Sequence, residues 1–501
     1  MKSRFALLTA VLMLPLPLLA AVKVPALFSD HMVLQAGKPV AVWGTAATGE
    51  KVTVAFGAQE KSVTAGADGA WSVKLDPLKA SPEPQVLKIN TLTIQDVLVG
   101  EVWLGSGQSN MAMQVKGAKD LEASKAAAKQ PQIRVFTEGS AAAETAQSMG
   151  KGSWIVCSAE TVERFSATAY FFGRSLHEEL NVPVGLIVSA VGGTPIESWI
   201  DAAAQRAQPE LKGFFEALAA SNAKFDEAKV KAAYEAQLEK WKEAVKAAKA
   251  AKQQLPQKPR DPIETYKRKG NVGGLFNGKI APLIPYTLRG AIWYQGEANS
   301  ADDKAPYYQE QLTLLAKEWR QRWGDEFPFA WVQLPNFNRP GPGWPLVRDE
   351  MRQALESIPN SGMAITLDVG ELKDIHPKNK QEVGRRLALW ALGKVYDKPV
   401  AATSGPLVKK VTRDGSSLVV QFDHAAGLKA NGALNEFEVA GADDVFKSAE
   451  ARLEGETVVL TGEGTASATK VRYAWKDATS AALVNGAGIP ASTFQMPVGA
   501  K

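Results

Sequence analysis

The alternation of apolar and polar positions divides the chain into three stretches. Up to about residue 98, runs such as VAVWG, KVTVAF and AWSVKL alternate with a period of two between Gly, Pro, Asp and Asn residues, which predicts short antiparallel strands. Runs of the same type, such as SLVVQF, TVVLTG and KVRYAW, return after residue 399. We therefore predict an N-terminal β domain over residues 22–98 and a C-terminal β-sandwich domain over residues 399–501.

Residues 99–398 follow a different pattern. Apolar runs such as VPVGLIVSA, RGAIWYQ and GMAITLDVG alternate with helical stretches such as ATAYFFGRSLHEEL and KQEVGRRLALWALGKVY. This alternation predicts an α/β domain with a parallel sheet covered by helices on both faces. In such a sheet the ligand site lies beyond the carboxyl ends of the strands, so residues that directly follow the apolar runs are the candidates for chemistry.

A segment of about residues 202–262, rich in Ala, Lys, Glu and Gln, interrupts that alternation. Its apolar positions recur at helical spacing and predict the buried face of a helical insertion that ends near Pro256 and Pro259. These positions are Val230, Tyr234, Leu238, Trp241 and Val245. Whether the insertion serves as a substrate lid or a partner surface is left open by the pattern.

The first 21 residues have the pattern of a secretory signal peptide. Lys2 and Arg4 supply positive charge, residues 5–19 are apolar with two prolines, and Ala20 and Ala21 are small enough for cleavage. Prolines and short length argue against a membrane-spanning helix, and no later stretch reaches about 18 uninterrupted apolar residues. We expect a secreted or periplasmic protein that is not held in a membrane after signal cleavage.

Composition narrows the possible partners. The 501 residues carry a formal net charge of +5, and no basic run is interleaved with aromatics, which argues against nucleic acid as a partner. A single cysteine, Cys157, excludes an internal disulfide, and no His or Cys cluster predicts a metal site, so we expect no cofactor. The 13 tryptophans fit either large core side chains or platforms that stack on sugars. Oligomeric state cannot be inferred from the sequence.

The segment VGEVWLGSGQSNMAMQV contains the first candidate for chemistry. An apolar strand ends at Leu104, and small residues then lead to Ser109. A serine at a tight strand-to-helix turn exposes its hydroxyl and leaves its backbone N–H free to stabilise an oxyanion. The segment lacks Gly-x-Ser-x-Gly, so it does not predict the nucleophile turn of α/β-hydrolases.

A serine nucleophile needs a base, and the chain has four histidines. His31 and His424 lie in the two β regions, and His177 lies in a predicted helix beside two glutamates. His376 alone follows an apolar run at the predicted sheet edge, in the loop DVGELKDIHPKNK. It is therefore the candidate base, and Asp374, two residues earlier, can orient its imidazole.

Two further segments end strands with residues that could stabilise an oxyanion. IVSAVGGTPIESW has Gly192 and Gly193, where a backbone N–H can approach a reacting carbonyl without interference from a side chain. AIWYQGEANS has Gln295, Glu297 and Asn299 just past a buried run, and the two amides could donate to the same oxygen. Four strand ends thus carry a polar or glycine element.

The blocks GQSNM, VGGTPIESW, WYQGEAN and DIHP, in this order, resemble the four blocks of the SGNH (GDSL-like) hydrolases. More narrowly they resemble the sialate O-acetylesterase family and its relatives that act on acetylated plant glycans. The resemblance extends over nearly the whole mature chain, from LFSDHMVLQ to VRYAW. It implies a flavodoxin-like three-layer α/β/α domain with accessory β regions at both ends, no metal, and acyl transfer through an acetyl-serine intermediate.

The resemblance also implies a carbohydrate O-acetylesterase, whose substrate would be an acetylated oligo- or polysaccharide. A sialic acid conjugate and a hemicellulose such as xylan or xyloglucan are both consistent with it. Ser109 matches the nucleophile and its backbone N–H the first oxyanion donor, and Gly193 matches the second donor. The third donor of the superfamily is usually an Asn in a Gly-x-Asn-Asp block. Because this chain has QGEAN there, Gln295 or Asn299 is the candidate, with Gln295 preferred.

The last block of the superfamily is commonly Asp-x-x-His, but Lys373 stands three residues before His376. Asp374 is thus at a different offset, and Asp368 is the reserve candidate for the triad acid. A dyad of Ser109 and His376 held by a backbone carbonyl is the remaining option.

Two other functions compete with the esterase. A non-catalytic carbohydrate-binding protein derived from such an esterase would suit the aromatic richness, but it would have no reason to retain Ser109 and His376. A glycosidase would use two carboxylates, for which Glu297 and Asp374 are the candidates, but it would leave the serine block unexplained.

Overall fold

The computed structural model describes residues 22–223, 226–259, 261–263, 272–339 and 341–499. The predicted signal peptide, residues 1–21, lies outside the described residues. Among the helices that are described, none is long and apolar enough to cross a membrane.

The N-terminal region forms the short strands that the period-two pattern predicts. They are β1 (Val33–Gln35), β2 (Val40–Thr45), β3 (Lys51–Phe56), β4 (Gln59–Thr64), β5 (Ala70–Leu75), β6 (Ser81–Ile89) and β7 (Leu92–Gly107). Side chains along β5 alternate between exposed and buried, as expected for a strand with one face on a core. β2 pairs with β5, and β3 pairs antiparallel with both β4 and β6.

The central region contains the predicted parallel sheet. Its further strands are β8 (Ile133–Thr137), β9 (Trp154–Val156), β10 (Val184–Ala190), β11 (Gly290–Tyr294), β12 (Phe329–Val332) and β13 (Ser361–Ala364). The order is β13-β12-β11-β7-β10-β8-β9, and all neighbours are parallel except β9 at the edge. The carboxyl ends of β7, β10 and β11 are therefore adjacent, which brings three of the sequence blocks together.

Strand β7 is shared by the first two regions. Its first part pairs with β6 as far as Val99, and its second part pairs with β10 and β11 from Glu101 onwards. The predicted domain boundary at residue 98 therefore lies inside a continuous strand. Every residue of β7 from Val97 to Gly107 is buried.

Helices cover both faces of the central sheet. They are α1 (Ser109–Ala112), α2 (Leu121–Ala126), α3 (Ala167–Leu180), α4 (Ala202–Arg206), α5 (Lys212–Ala223), α6 (Glu227–Ala250), α7 (Tyr308–Trp323), α8 (Gly343–Ser357) and α9 (Lys380–Lys394). On one face, Trp103 of β7 contacts Phe172 of α3 and Trp390 of α9. On the other face, Trp293 of β11 contacts Trp319 of α7.

The predicted helical insertion contains α4, α5 and α6. The apolar stripe of α6 is half-buried rather than buried as predicted, and the segment that follows the helix contacts it. Tyr234 Oη donates to the carbonyl oxygen of Pro259, and Trp241 Nε1 donates to that of Pro256. The stripe thus packs against its own chain.

The C-terminal region is built from strands, as predicted. They are β14 (Leu407–Asp414), β15 (Ser417–Asp423), β16 (Lys429–Ala430), β17 (Phe437–Ala440), β18 (Lys447–Ser448), β19 (Glu450–Glu454), β20 (Thr457–Thr461), β21 (Lys470–Tyr473), β22 (Leu483–Val484) and β23 (Phe494–Gly499). Eight of the described strands form one hydrogen-bonded path, β18-β17-β21-β23-β14-β15-β20-β19. Gln333 and Asn336, which follow β12, donate to Ser492 and Thr479 and join this region to the central sheet.

The tryptophans and the cysteine serve mainly as core residues. Trp103, Trp199, Trp293, Trp319, Trp331 and Trp344 are among the largest side chains with no more than 1% exposure. Cys157 is buried, and burial raises the pKa of its thiol to about 12. These positions therefore offer neither a sugar platform nor a reactive thiolate.

Candidate active site

Ser109 lies where β7 ends and the chain turns into the short helix α1. The turn requires Gly107, whose φ is 134°, because a Cβ there would lie 2.1 Å from the carbonyl oxygen of Tyr294 in β11. The backbone N–H of Gln108 donates to the same oxygen over 2.9 Å. This close approach of two strands fixes Ser109 at the carboxyl end of the sheet.

His376 lies in the loop between β13 and α9. Its Nε2 is 2.8 Å from Ser109 Oγ, although 267 positions separate the two residues in the chain. At this distance the hydroxyl can donate to an unprotonated Nε2. The structure therefore brings the predicted nucleophile and the predicted base together in the geometry that serine activation requires.

The other histidines have different partners. His31 Nδ1 is 2.6 Å from Asp96 Oδ2, and His177 Nδ1 is 2.8 Å from the carbonyl oxygen of Val182. His424 is in the C-terminal region, between β15 and β16. The described residues contain no group of three or more His, Cys, Asp or Glu that could hold a metal ion.

Asp374 lies beside His376 but bonds mainly to its backbone. Asp374 Oδ1 accepts the backbone N–H of His376 over 2.9 Å, whereas its distance to the imidazole Nδ1 is 3.5 Å. The longer distance exceeds that of an ordinary N–H···O bond. In the structure as it stands, Asp374 shapes the turn that presents His376, and its carboxylate is within ion-pair reach of the ring.

Asp368, the reserve acid, is engaged elsewhere. Its two carboxylate oxygens accept from Nη1 and Nη2 of Arg386 over 2.6 and 2.7 Å. Arg386 is 4% exposed and also bonds to Glu382 and the carbonyl oxygen of Ile365. This pairing ties Asp368 to helix α9 rather than to the imidazole.

The glycine pair after β10 borders the serine. A Cβ on Gly192 would lie 3.5 Å from Cβ of Ser109, so the backbone here passes directly beside the nucleophile. Gly193 has φ of 70°, a conformation that glycine adopts readily. Within the described part of the chain, the backbone N–H groups of Ser109 and Gly193 have no protein acceptor. Both are thus available to a substrate oxygen.

The two candidate amides of the QGEAN block already donate to protein acceptors. Gln295 Nε2 donates to Asn299 Oδ1, Gln108 Oε1 and the carbonyl oxygen of Thr194 over 2.7 to 3.2 Å. Asn299 Nδ2 donates to Glu197 Oε2 over 3.0 Å. Both amides are 0% exposed. Both amides thus bind three strand ends to one another, and the expectation that Gln295 or Asn299 supplies an oxyanion donor stays a prediction.

A buried group that sequence reasoning missed lies under the serine and the histidine. Asn110 Nδ2 donates to Glu297 Oε1 over 2.5 Å and to the carbonyl oxygen of Ile375 over 3.0 Å. Lys380 Nζ donates to Asn110 Oδ1 over 2.6 Å and to the carbonyl oxygen of Pro377 over 2.7 Å. Glu297 is predicted to lie near the site, but the only signal for Asn110 and Lys380 is that they are close in the sequence to Ser109 and His376.

Burial opposes both charges of this group. It raises the pKa of the Glu297 carboxyl and lowers the pKa of Lys380 to about 7. Each charge partly offsets the shift of the other, since Glu297 and Lys380 lie on opposite sides of the Asn110 amide. Glu297 is 3% exposed, so it does not offer a carboxylate to a sugar as the glycosidase alternative would require.

Three comparisons with known proteins agree. A family model described as "Carbohydrate esterase, sialic acid-specific acetylesterase" matches residues 99–256 and 276–392. The sialate O-acetylesterase of Rattus norvegicus is 31% identical over 448 residues, covering 76% of this chain and 75% of the relative. That of Homo sapiens is 30% identical over 436 residues, covering 76% and 73%. The crystal structure of a novel carbohydrate acetylesterase from Xanthomonas citri is 30% identical with a TM-score of 0.78, covering 95% of this chain and 99% of its own.

Sheet, site and relatives together define a carboxylic ester hydrolase. Within that class, the chain belongs to the carbohydrate esterase family of sialic acid-specific acetylesterases, because the family model matches more than half of its length. The resemblance to the sialate O-acetylesterase family and the prediction of an ester hydrolase are thereby confirmed.

Proposed function

We propose that this enzyme hydrolyses O-acetyl esters of carbohydrate, with Ser109 as nucleophile and His376 as general base. The observation that carries the proposal is the 2.8 Å distance between Ser109 Oγ and His376 Nε2. The family assignment supports the acetyl ester as the bond that is cleaved.

In the first half of the reaction, Ser109 Oγ attacks the acetyl carbonyl carbon while its proton passes to His376 Nε2. The carbonyl oxygen becomes an oxyanion, which accepts from the backbone N–H groups of Ser109 and Gly193. When the tetrahedral intermediate collapses, the ester C–O bond breaks and His376 returns the proton to the departing sugar oxygen. The products of this half are a free sugar hydroxyl and acetyl-Ser109.

In the second half, a water molecule attacks acetyl-Ser109 while His376 takes one of its protons. Collapse returns the proton to Ser109 Oγ and releases acetic acid, which loses its proton to solvent and becomes acetate. We assign Asp374 to stabilise the imidazolium that forms twice in the cycle, since a small rotation of its carboxylate would shorten the 3.5 Å contact to Nδ1.

We also propose that the central region is a three-layer SGNH hydrolase domain, with the β regions at its two ends as accessory domains. The order β10-β7-β11-β12-β13 corresponds to a flavodoxin-like 2-1-3-4-5 sheet that is extended at one edge by β8 and β9. Export through the predicted signal peptide would bring the enzyme to extracellular or periplasmic glycans.

The test measures acetate release by purified enzyme from 4-nitrophenyl acetate and from acetylated sialoglycoconjugate, xylan and xyloglucan. We expect release from the aryl ester and from at least one glycan, and loss of both after treatment with a serine-directed organophosphate. The Ser109→Ala variant is the matched control for uncatalysed release. Glycan binding without acetate release would instead support the non-catalytic alternative.

A further inference from the structure

The backbone on both sides of His376 is held by side chains that have no part in the proposed reaction. The carbonyl oxygen of Ile375 accepts from Asn110, and the carbonyl oxygen of Pro377 accepts from Lys380. Asn110 directly follows Ser109, and Lys380 bonds to Asn110 as well. We propose that Lys380 is a positioning residue that, through Asn110 and Pro377, holds His376 Nε2 at hydrogen-bond distance from Ser109 Oγ.

The segment that carries Ser109 and the loop that carries His376 are both attached to helices α3 and α9. Asn110 bonds to Thr168 in α3 through its own carbonyl oxygen, which accepts from Thr168 Oγ1 over 3.0 Å. Lys380 is the first residue of α9, and α9 packs along α3. The serine segment and the histidine loop are therefore held by the same pair of helices. Lys380 Nζ connects the two, because it bonds to Asn110 in the serine segment and to Pro377 in the histidine loop.

The amide of Asn110 can adopt only one orientation in this group. Its nitrogen faces the Glu297 carboxylate, and its oxygen faces the Lys380 amino group. A flipped amide would place N–H groups against an N–H donor and a carbonyl oxygen against a carboxylate. Because the orientation is fixed, the bond from Asn110 to the carbonyl oxygen of Ile375 is fixed as well.

The role of Lys380 does not depend on its charge. Burial lowers its pKa to about 7, while the carboxylates of Glu297, Asp374 and Glu371 oppose that shift. The neutral amine still has two N–H groups, one for Asn110 Oδ1 and one for the carbonyl oxygen of Pro377. Lys380 is 0% exposed, so it acts on His376 and not on substrate.

Lys380 can position His376 only if Ser109 and His376 act as proposed above, so the test uses a reaction of Ser109 that needs no glycan. A fluorophosphonate reacts with an activated serine, which gives both the fraction of active sites and the rate constant of each site. For Lys380→Met we expect complete titration but a rate constant lower by about 10²-fold, because the serine and histidine are no longer aligned. With 4-nitrophenyl acetate, kcat should fall in proportion while KM changes by less than about threefold.

Lys279→Met is the matched control. Lys279 is also buried, and its Nζ bonds to Glu138 Oε2 and to the carbonyl oxygens of Glu138 and Ser140. Removing this buried cation should leave the rate constant per active site within about threefold of wild type. A double variant of Lys380→Met with Asn110→Ala should react no more slowly than the slower single variant, since both act through one group.

A rate constant for Lys380→Met within threefold of wild type would overturn the proposal. If the fraction of active sites is reduced at the same time, Lys380 is purely structural. Should Lys380→Met fail to fold, Lys380→Gln is measured instead; its side chain is one bond shorter and cannot reach both oxygens, so a wild-type rate would again overturn the proposal. If wild-type enzyme fails to react at all, it is the proposed serine mechanism that fails.

Discussion

Asp368 and Arg386 form a bidentate ion pair, in which each carboxylate oxygen lies within 2.7 Å of a guanidinium nitrogen. The pair connects the segment after β13 to helix α9, at a place where Arg386 is almost completely buried. Asp374, six residues later, is half-exposed and lies 3.5 Å from the imidazole of His376. The two aspartates that the sequence offers as triad acids therefore have separable roles, one in stability and one near the chemistry.

Replacing Asp374 tests the assignment of the acid. We expect Asp374→Asn to lower kcat by about 10²-fold or more with little change in KM, because an amide cannot stabilise the imidazolium. The measurement is steady-state hydrolysis of 4-nitrophenyl acetate, with circular dichroism to verify folding.

The control is Asp368→Asn, which removes charge from the Arg386 pair. We expect kcat per titrated active site within about threefold of wild type, together with a lower melting temperature, because a buried guanidinium loses one of its two carboxylate partners. A crippled Asp368→Asn with an active Asp374→Asn would reassign the acid to Asp368. Full activity of both variants would leave Ser109 and His376 as a dyad.

The second prediction concerns the nucleophile. We expect Ser109→Ala to lower kcat by about 10³-fold or more, as removal of a triad serine does in other hydrolases. Its folding should be retained, because the hydroxyl bonds only to His376 among the described residues. Ser106→Ala is the control, since Ser106 is in β7, just before the turn to Ser109, and its hydroxyl donates to the carbonyl oxygen of Ser189. Activity of Ser109→Ala within tenfold of wild type would remove Ser109 from the mechanism.

The sequence predicts the positions of Ser109 and His376 because both follow apolar runs. Parallel strands end at the same edge of a sheet, so residues that are distant in the chain converge there without further information. The same principle accounts for Gly192 and Gly193 beside the serine. What is local in the chain, a strand end or a glycine turn, is thus predictable.

The direction in which a side chain points at that edge is not determined by its neighbours in the sequence. Gln295 and Asn299 follow a strand as the oxyanion hypothesis requires, but Glu197 and Gln108, from two other strand ends, bind their amides. Lys380 begins helix α9 among polar neighbours, yet its amino group is buried, because Asn110 and Pro377 supply acceptors. Such contacts depend on three segments that are distant in the sequence, so the periodicity of apolar and polar positions cannot predict them.

The third prediction concerns the pH dependence of stability. Burial, followed by the neighbouring carboxylates Asp349 and Glu310, raises the pKa of Glu350 in α8 to about 7. An unfolded glutamate titrates near 4.3, so between about pH 4.3 and 7 the folded protein binds the proton more tightly, and the contribution of Glu350 to stability decreases as pH rises. At pH 8 the ionised group destabilises the fold.

Glu350→Gln should therefore raise the free energy of unfolding at pH 8 by about 1 kcal/mol or more, and the gain should shrink toward pH 5. The amide oxygen can still accept the backbone N–H of Gln309, which is the bond that Glu350 makes. Urea unfolding at the two pH values measures the difference. Glu356→Gln, an exposed change on the same helix, should be within about 0.5 kcal/mol of wild type at both. An equal effect of Glu350→Gln at pH 5 and pH 8 would contradict the assignment.

The last prediction concerns Arg348, which joins the central sheet to the C-terminal region. Its guanidinium is 0% exposed and donates to oxygens on both sides of the contact, over 2.7 to 3.1 Å. These acceptors are the carbonyl oxygens of Leu334, Pro335, Lys476 and Asp477, and Oδ1 of Asn336. A lysine has three donors on one atom and cannot satisfy five acceptors that surround a planar group.

Arg348→Lys should therefore lower the free energy of unfolding by about 3 kcal/mol, since it leaves buried carbonyl oxygens without donors. The loop that Arg348 holds also reaches the histidine loop, because the backbone N–H of Asn338 donates to the carbonyl oxygen of Leu372. Loss of stability should accordingly be accompanied by faster heat inactivation of the esterase. Arg385→Lys, whose donors go to Glu382 at the surface, is the control and should cost at most about 0.5 kcal/mol. If urea unfolding finds both variants equally stable, Arg348 does not hold the two regions together, and the contacts of Gln333 and Asn336 must suffice for that purpose.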